Sequence, residues 1–350
     1  MRANPFLLIF LLFVCVKALP QDSIRSAVVP EYLSFYTKFS FNNSEIEIPI
    51  PKTDEELIFE SNSKSSCYLG FHYSWLGIDY AFSLPSDDVN LYGKTQSDAL
   101  NVEVKLKKWT IELKNRDYKG YYFSNQEEFD DHWKEGGVCF QLSDLRTSAT
   151  SLSAEYVFKP AKIYSNKIYT YKKVPDKSGG SWLMNGFVSV NGAFSDSLII
   201  PPAVCLYADP GIYYKTTFFS DFGASLGYSY LWVLSRKFFA SFTALPGISF
   251  QKVVAYSVPD ELTKTCNRVS SQFLFHFTFG YNTEKFYCGL TSNFECKNYG
   301  SEMSVNYEKG GVVFLYRIDT SNWKFMNGVD KVMHPRFLRF ALGDKPATRE

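Results

Sequence analysis

The amino-acid sequence predicts an all-β chain closed into an antiparallel up-and-down transmembrane β-barrel of about 12 strands, within a range of 10–14. Three observations carry this prediction. The first is alternation of unusual length. In Thr217–Tyr230 the even positions read Phe218, Ser220, Phe222, Ala224, Leu226, Tyr228 and Tyr230, and the odd positions read Thr217, Phe219, Asp221, Gly223, Ser225, Gly227 and Ser229. Successive strand side chains point to opposite faces, so one face is apolar and aromatic and the other small and polar. A membrane-crossing strand needs about 9–11 residues of this pattern, whereas strands of soluble proteins most often run to about 5–6. The second observation is aromatic content: 32 Phe, 24 Tyr and 6 Trp bring aromatics to 18% of 350 residues, an excess that a lipid-facing surface with aromatic girdles absorbs. The third is an alternation of very short turns with long polar stretches, as expected of a barrel with a short-turn end and a long-loop end.

The strands follow in order. Leu33, Phe35, Phe39 and Phe41 share a face of the first. Cys67, Leu69, Phe71 and Tyr73 share a face of the next, opposite Tyr68, Gly70 and His72. After a tight connection at Ser74-Trp75 come Leu76, Ile78, Tyr80, Phe82 and Leu84. Leu100, Val102, Val104 and Leu106 alternate with Asn101, Glu103, Lys105 and Lys107, and Trp109, Ile111 and Leu113 return against Glu112, Lys114 and Arg116. Leu152–Phe158, Trp182–Val190 and Thr217–Tyr230 continue the series, followed by Phe238–Phe250, Phe273–Tyr281, Phe286–Phe294 and Val312–Ile318. Short turns are expected at 107–108, 159–161, 235–237 and 282–284, and long loops at 85–97, 124–143, 191–215 and 253–267. The alternation slips once, around 174–216, where room exists for a further strand.

The first 18 residues read as a secretory signal: Arg2, then an apolar run Phe6–Val16 too short to span a bilayer, then Val16-Lys17-Ala18 as a cleavage pattern. Residues 19–30 are expected to link it to a barrel over 31–318, with a polar tail over 319–350. An exported barrel implies the bacterial outer membrane as location, with outer-membrane lipid and the barrel-assembly machinery as partners. The net charge of +1 and the lack of a basic stripe argue against nucleic acid. Six cysteines follow the signal, an even number that permits disulfides with 15 possible full pairings. Cys288 and Cys296, if on one continuous strand, lie about 26 Å apart and cannot bond to each other.

The segments KNRDYKGYYF (114–123), SGGSWLMNG (178–186), FGASLGYSYLWVLSRKFF (222–239) and FGYNTEKFYCGL (279–290), with Trp75-Leu-Gly77 early and Tyr316-Arg317-Ile318 at the close, resemble the Bacteroidetes outer-membrane β-barrel proteins known only as domain of unknown function 4421. The resemblance covers about 31–318 and implies the barrel fold and its location. It implies no catalytic residues, because that family has no assigned activity.

The candidate functional residues are the charged ones that parity turns toward a lumen. Lys or Arg on the lipid side costs about 2–4 kcal/mol at mid-membrane, so Glu103, Lys105, Lys107, Glu112, Lys114, Arg116 and Asp117 are expected to face inward, and Glu112 to pair with Lys105 or Lys107 across the hairpin. His276 joins them by strand parity. No catalytic residue, cofactor or metal ligand is assigned: a nucleophilic hydrolase needs a serine and an orienting group around a histidine, no C-x-x-C pair exists, and Asp87-Asp88 and Asp130-Asp131 lack the spacing of a calcium loop. The expected role is therefore structural or transport, with two alternatives: a lipid-modifying or lipid-hydrolysing barrel enzyme, and a soluble periplasmic lipocalin-like binder.

Overall fold

Alternation of aromatic or β-branched residues with small polar ones favours extended chain, and the strands it produces pair with their neighbours in sequence. A computed structural model describes residues 32–320 and Trp323, apart from 51–54, 85–87, 107, 130–132, 134–135, 160–176, 201–213, 258–262 and 298–303. The strands are β1 (Tyr32–Pro49), β2 (Glu56–Glu60), β3 (Ser65–Tyr73), β4 (Leu76–Ser83), β5 (Gln96–Lys105), β6 (Trp109–Phe123), β7 (Gln141–Val157), β8 (Gly179–Phe194), β9 (Tyr214–Val233), β10 (Phe238–Ser257), β11 (Thr263–Asn282), β12 (Phe286–Lys297) and β13 (Ser304–Asp319). One short helix, α1 (Val89–Tyr92), lies between β4 and β5. Among the described residues no helix is long and apolar enough to cross a membrane.

Twelve strands close into an antiparallel barrel. They run β1, β3, β4, β5, β6 and on in order to β13, which returns to β1. The closing pair holds register from Tyr32↔Asp319 to Glu47↔Ser304, so both ends of the barrel segment sit at the short-turn rim. The thirteenth strand, β2, is not a stave. It pairs with the distal part of β1 and touches β6 at Phe59↔Phe123, spanning the gap above β3, β4 and β5. The sequence pattern did not reveal it, because five residues hold too few alternations to stand out. The stretch 253–267, expected as a loop, is mostly strand: β10 runs to Ser257 and β11 begins at Thr263. At its start this stretch is apolar on both faces, with Val253 and Ala255 buried in an inner apolar cluster and Tyr256 exposed, so no apolar–polar alternation marks it as strand. Residues 160–161 of the turn expected at 159–161, any strand hidden within 160–176 or 201–213, the signal segment, the linker, and the tail beyond Trp323 lie outside the described residues.

The exterior is the apolar face. On β9, Phe222 is 58% exposed and Leu226 53%, whereas Asp221 and Ser225 are buried. The lumen is filled in layers. At the long-loop end, Ile46, Leu57, Phe59, Tyr121, Leu145, Phe219 and Val253 meet in one apolar cluster drawn from β1, β2, β6, β7, β9 and β10. At the short-turn end, Leu231, Phe239, Tyr287, Val313 and Leu315 form a second. Beside it the buried Arg317 donates from Nη1 to the Thr283 carbonyl at 2.9 Å, and its backbone amide bonds the Lys285 carbonyl. The Tyr-Arg-Ile close of the barrel thus secures the β11–β12 turn.

The added strand brings four carboxylates together outside the belt. Glu45 and Glu47 follow Phe41, the last outward apolar residue of β1, and they oppose Glu60 and Ile58 of β2, with Glu56 beyond. Burial, and then repulsion from Glu47 and the other glutamates, pushes the Glu45 carboxyl up to about 7. Its folded value exceeds its unfolded one, so from about pH 4.5 to 7 the folded chain holds a proton that the unfolded chain has released. Stability from this group is present below that window and is lost as pH rises through it. Amide exchange in the β1–β2 pairing, corrected for intrinsic rates, is expected to be faster at pH 8 than at pH 5, with the difference reduced in Glu45→Gln. Identical protection at both pH values would contradict this.

Candidate functional site

Between the two apolar layers lies a polar one, and the β5–β6 hairpin supplies most of it. Its register sets Glu103 directly opposite Glu112, Asn101 opposite Lys114 and Lys105 opposite Thr110. Like charges facing each other destabilise a strand pair, and each glutamate is balanced along its own strand. Lys105 Nζ lies 3.1 Å from Glu103 Oε1, and Lys114 Nζ lies 2.8 Å from Glu112 Oε2. Glu112, expected to pair with Lys105 or Lys107 across the hairpin, is thus at ion-pair distance from Lys114, two residues ahead on its own strand and face. Lys107 lies outside the described residues.

Arg116 does something the hairpin alone could not reveal. Its Nη1 lies 3.9 Å from Oε2 of Glu295 on β12. Six strand steps separate β6 from β12 in either direction around the ring, so this ion pair crosses the full width of the lumen. His276 on β11 donates from Nδ1 to Asn293 Oδ1 on β12 and lies within electrostatic reach of Lys114, Glu112 and Glu295. Glu155 on β7 is likewise close to Glu112, Glu103, Lys114 and Lys105. The layer thus sets the cations Lys105, Lys114 and Arg116 against the carboxylates Glu103, Glu112, Glu155 and Glu295, and it ties opposite walls together.

Asp117 does not belong to this layer. Adjacent strand residues face opposite sides, and since Arg116 points inward, Asp117 points outward, where Arg146 Nη2 meets its Oδ1 at 2.8 Å. Glu155, Glu295 and Asn293 were missed by sequence reasoning. Glu155 and Glu295 are single carboxylates on inward rows that otherwise hold small, polar or apolar residues such as Ala149, Ser151, Ser153, Gly289 and Thr291, and strand parity was the signal that pointed to them.

Two further inward nodes are structural in form. Tyr36 Oη and Asn101 Nδ2 each donate to the Asp79 carboxylate at 2.6 Å, tying β1, β4 and β5 together. Ser189 donates to Asp221 across β8 and β9. Gly223-Ala-Ser225-Leu-Gly227 has the G-x-S-x-G spelling of a hydrolase nucleophile elbow, which requires a sharp strand-to-helix turn. Here it is continuous strand within β9, so the spelling carries no catalytic meaning. Among the described residues no group of three or more His, Cys, Asp or Glu is placed to hold a metal ion, and Cys67, Cys139, Cys266 and Cys288 are free thiols.

The model of a family described as "Domain of unknown function (DUF4421)" matches residues 29–319. No curated protein matches the chain. Among solved structures, similarity is found to the outer membrane protease OmpT from Escherichia coli, with 6% identity and a TM-score of 0.38 over 84% of this chain and 99% of that one. A loop-deletion mutant of OmpT, an outer membrane protein of Vibrio cholerae, gives 8% identity and a TM-score of 0.29 over 82% and 99%. The Pseudomonas putida toluene transporter TodX gives 10% identity and a TM-score of 0.27 over 82% and 89%. Similarities of this order carry no information about activity.

Proposed function

The chain belongs to the DUF4421 family, and we propose that it is an outer-membrane barrel whose filled lumen admits no free diffusion, serving as a rigid membrane-embedded scaffold rather than a porin. The observation that carries this reading is the Arg116–Glu295 ion pair across the lumen, with an apolar layer above it and another below. A hydrated ion entering from either end meets an apolar plug first and a cross-linked charged layer second, and both raise the barrier to passage. What speaks for lipid rather than water around the barrel is the direction of polarity. A lipocalin-like binder has an apolar interior and a polar surface, and here Phe222, Leu226, Ile248 and Leu290 are all more than half exposed. Delivery by a secretory signal and insertion by the barrel-assembly machinery complete the proposal.

Planar-bilayer recordings test it. The purified barrel, inserted in verified amounts, is expected to show no stepwise conductance in 1 M KCl. Replacing both Arg116 and Glu295 by alanine is expected to leave it silent, because the apolar layers remain. Well-resolved open-channel steps from the unmodified protein would overturn the scaffold reading in favour of transport.

A further inference from the structure

The outer surface is not uniformly apolar at the level where lipid headgroups begin. On β6 the outward residues Trp109, Ile111 and Leu113 give way to Asn115, Asp117 and Lys119. The neighbouring strands change at the same rows. On β5, Val102 opposite Leu113 is followed by Leu100 and then Asp98, and on β7, Leu152 is followed by Thr150, Ser148 and Arg146. Three strands away, on β9, the outward face still carries an exposed Phe218. Asp117 stands eight residues from Trp109 along β6, about 26 Å of strand. At the usual barrel tilt of about 40° that is about 20 Å of height, close to the upper limit of an apolar band about 25 Å tall.

A groove of about 520 Å³ opens there, its charged lining being Asp98, Asp117, Asp144, Asp196, Lys119 and Arg146, with Asp144 already accepting from Ser195 and Ser197. Its polar groups are already oriented. Arg146 binds Asp117 while remaining more than half exposed, and Tyr80, whose ring lies on the apolar face, donates to Asp98 at 2.7 Å. Lys119 is exposed and forms no ion pair among the described residues. We propose that this groove binds the phosphorylated, hydroxyl-rich headgroup of an outer-leaflet glycolipid. Lys119 and Arg146 would face a phosphate, Asp98 would accept from sugar hydroxyls, and the acyl chains would lie on Leu100, Leu113 and Leu152 directly below. A soluble anion would have no use for that apolar floor. A lipid uses both halves, since charge-assisted bonds to phosphate are strong where lipid excludes water.

Native mass spectrometry of the full chain in detergent tests this proposal, using a bis-phosphorylated glucosamine-disaccharide lipid and its dephosphorylated form as probes. The expected result is a one-to-one adduct with the phosphorylated lipid, at least 10-fold weaker in Lys119→Gln/Arg146→Gln and unchanged in Lys252→Gln, an exposed outward lysine on β10. Heat-modifiable gel mobility reports whether the double variant is folded. If it is not, Lys119→Gln alone, which breaks no ion pair, is expected to weaken the adduct several-fold. Equal binding of the dephosphorylated lipid, displacement of the adduct by inorganic pyrophosphate alone, or equal loss in Lys252→Gln would each overturn the proposal. Pyrophosphate displacement would identify a soluble-anion site instead.

Discussion

Arg116→Met is expected to lower unfolding free energy by about 3 kcal/mol, and Glu295→Met by a similar amount, while the double variant recovers most of either loss. Removing one member of a buried ion pair leaves the other desolvated without its partner, at about 3–5 kcal/mol. The low end applies because 17% of the Arg116 side chain and 26% of the Glu295 side chain stay accessible. Replacing both by methionine removes the stranded charge and returns apolar volume to the lumen, and such exchanges are often neutral. Urea titrations in detergent, followed by tryptophan fluorescence, give the three free energies and the coupling between the sites. A coupling below about 0.5 kcal/mol would mean the charges are solvated separately and opposite walls are not joined. It would also leave the two apolar layers alone to close the lumen.

The barrel was legible because membrane and lumen impose opposite demands on alternate residues for ten or more positions at a time. Parity in 217–230 assigned Phe222 outward and Asp221 inward from composition alone, and the same counting put Glu103, Lys105, Glu112, Lys114 and Arg116 on one face of their hairpin. What parity could not supply was register and closure. Nothing local says that Glu112 faces Glu103 rather than Lys105, since this follows from where the β5–β6 turn falls. Nothing local says that Glu295, nearly 180 residues along the chain, meets Arg116, since that requires the ring to close. Asp117 shows the opposite failure. It was grouped with Arg116 by charge, although adjacent residues on a strand cannot share a face. Where an apolar layer fills the lumen, both faces of a strand are apolar, and there the pattern ceased to separate strand from loop, as 253–257 illustrates.

Gly120 is expected to be the least replaceable residue of β6, and Gly136 provides its control. Both have positive φ, +92° at Gly120 and +83° at Gly136. Conformational strain alone, about 1 kcal/mol for an alanine, is therefore common to the two sites. They differ in surroundings. A Cβ at Gly136 meets nothing within 4 Å, whereas one at Gly120 would lie 2.2 Å from the Lys94 carbonyl oxygen, a backbone atom that cannot rotate away. Gly120 also marks the shift in the β6–β7 register between Lys119 and Tyr121. Across that shift β6 advances two residues and β7 four, and the facing of β6 reverses, so that even positions point inward up to Tyr118 and odd ones from Tyr121 onward. That reversal delivers Tyr121 to the upper apolar layer, where its hydroxyl meets Thr147 at 2.6 Å and Ser44 at 3.3 Å. The Gly120 carbonyl itself accepts from Thr95 Oγ1 at 2.6 Å. Gly120→Ala must therefore part β5 from β6 or straighten the bulge, and either route takes Tyr121 out of the cluster. The expected loss is at least about 4 kcal/mol, enough to prevent recovery of heat-modifiable barrel, against about 1 kcal/mol for Gly136→Ala. Equal stability of the two variants in urea titrations would show that the bulge is not held by contact with Lys94, and that the inward turn of Tyr121 has another cause.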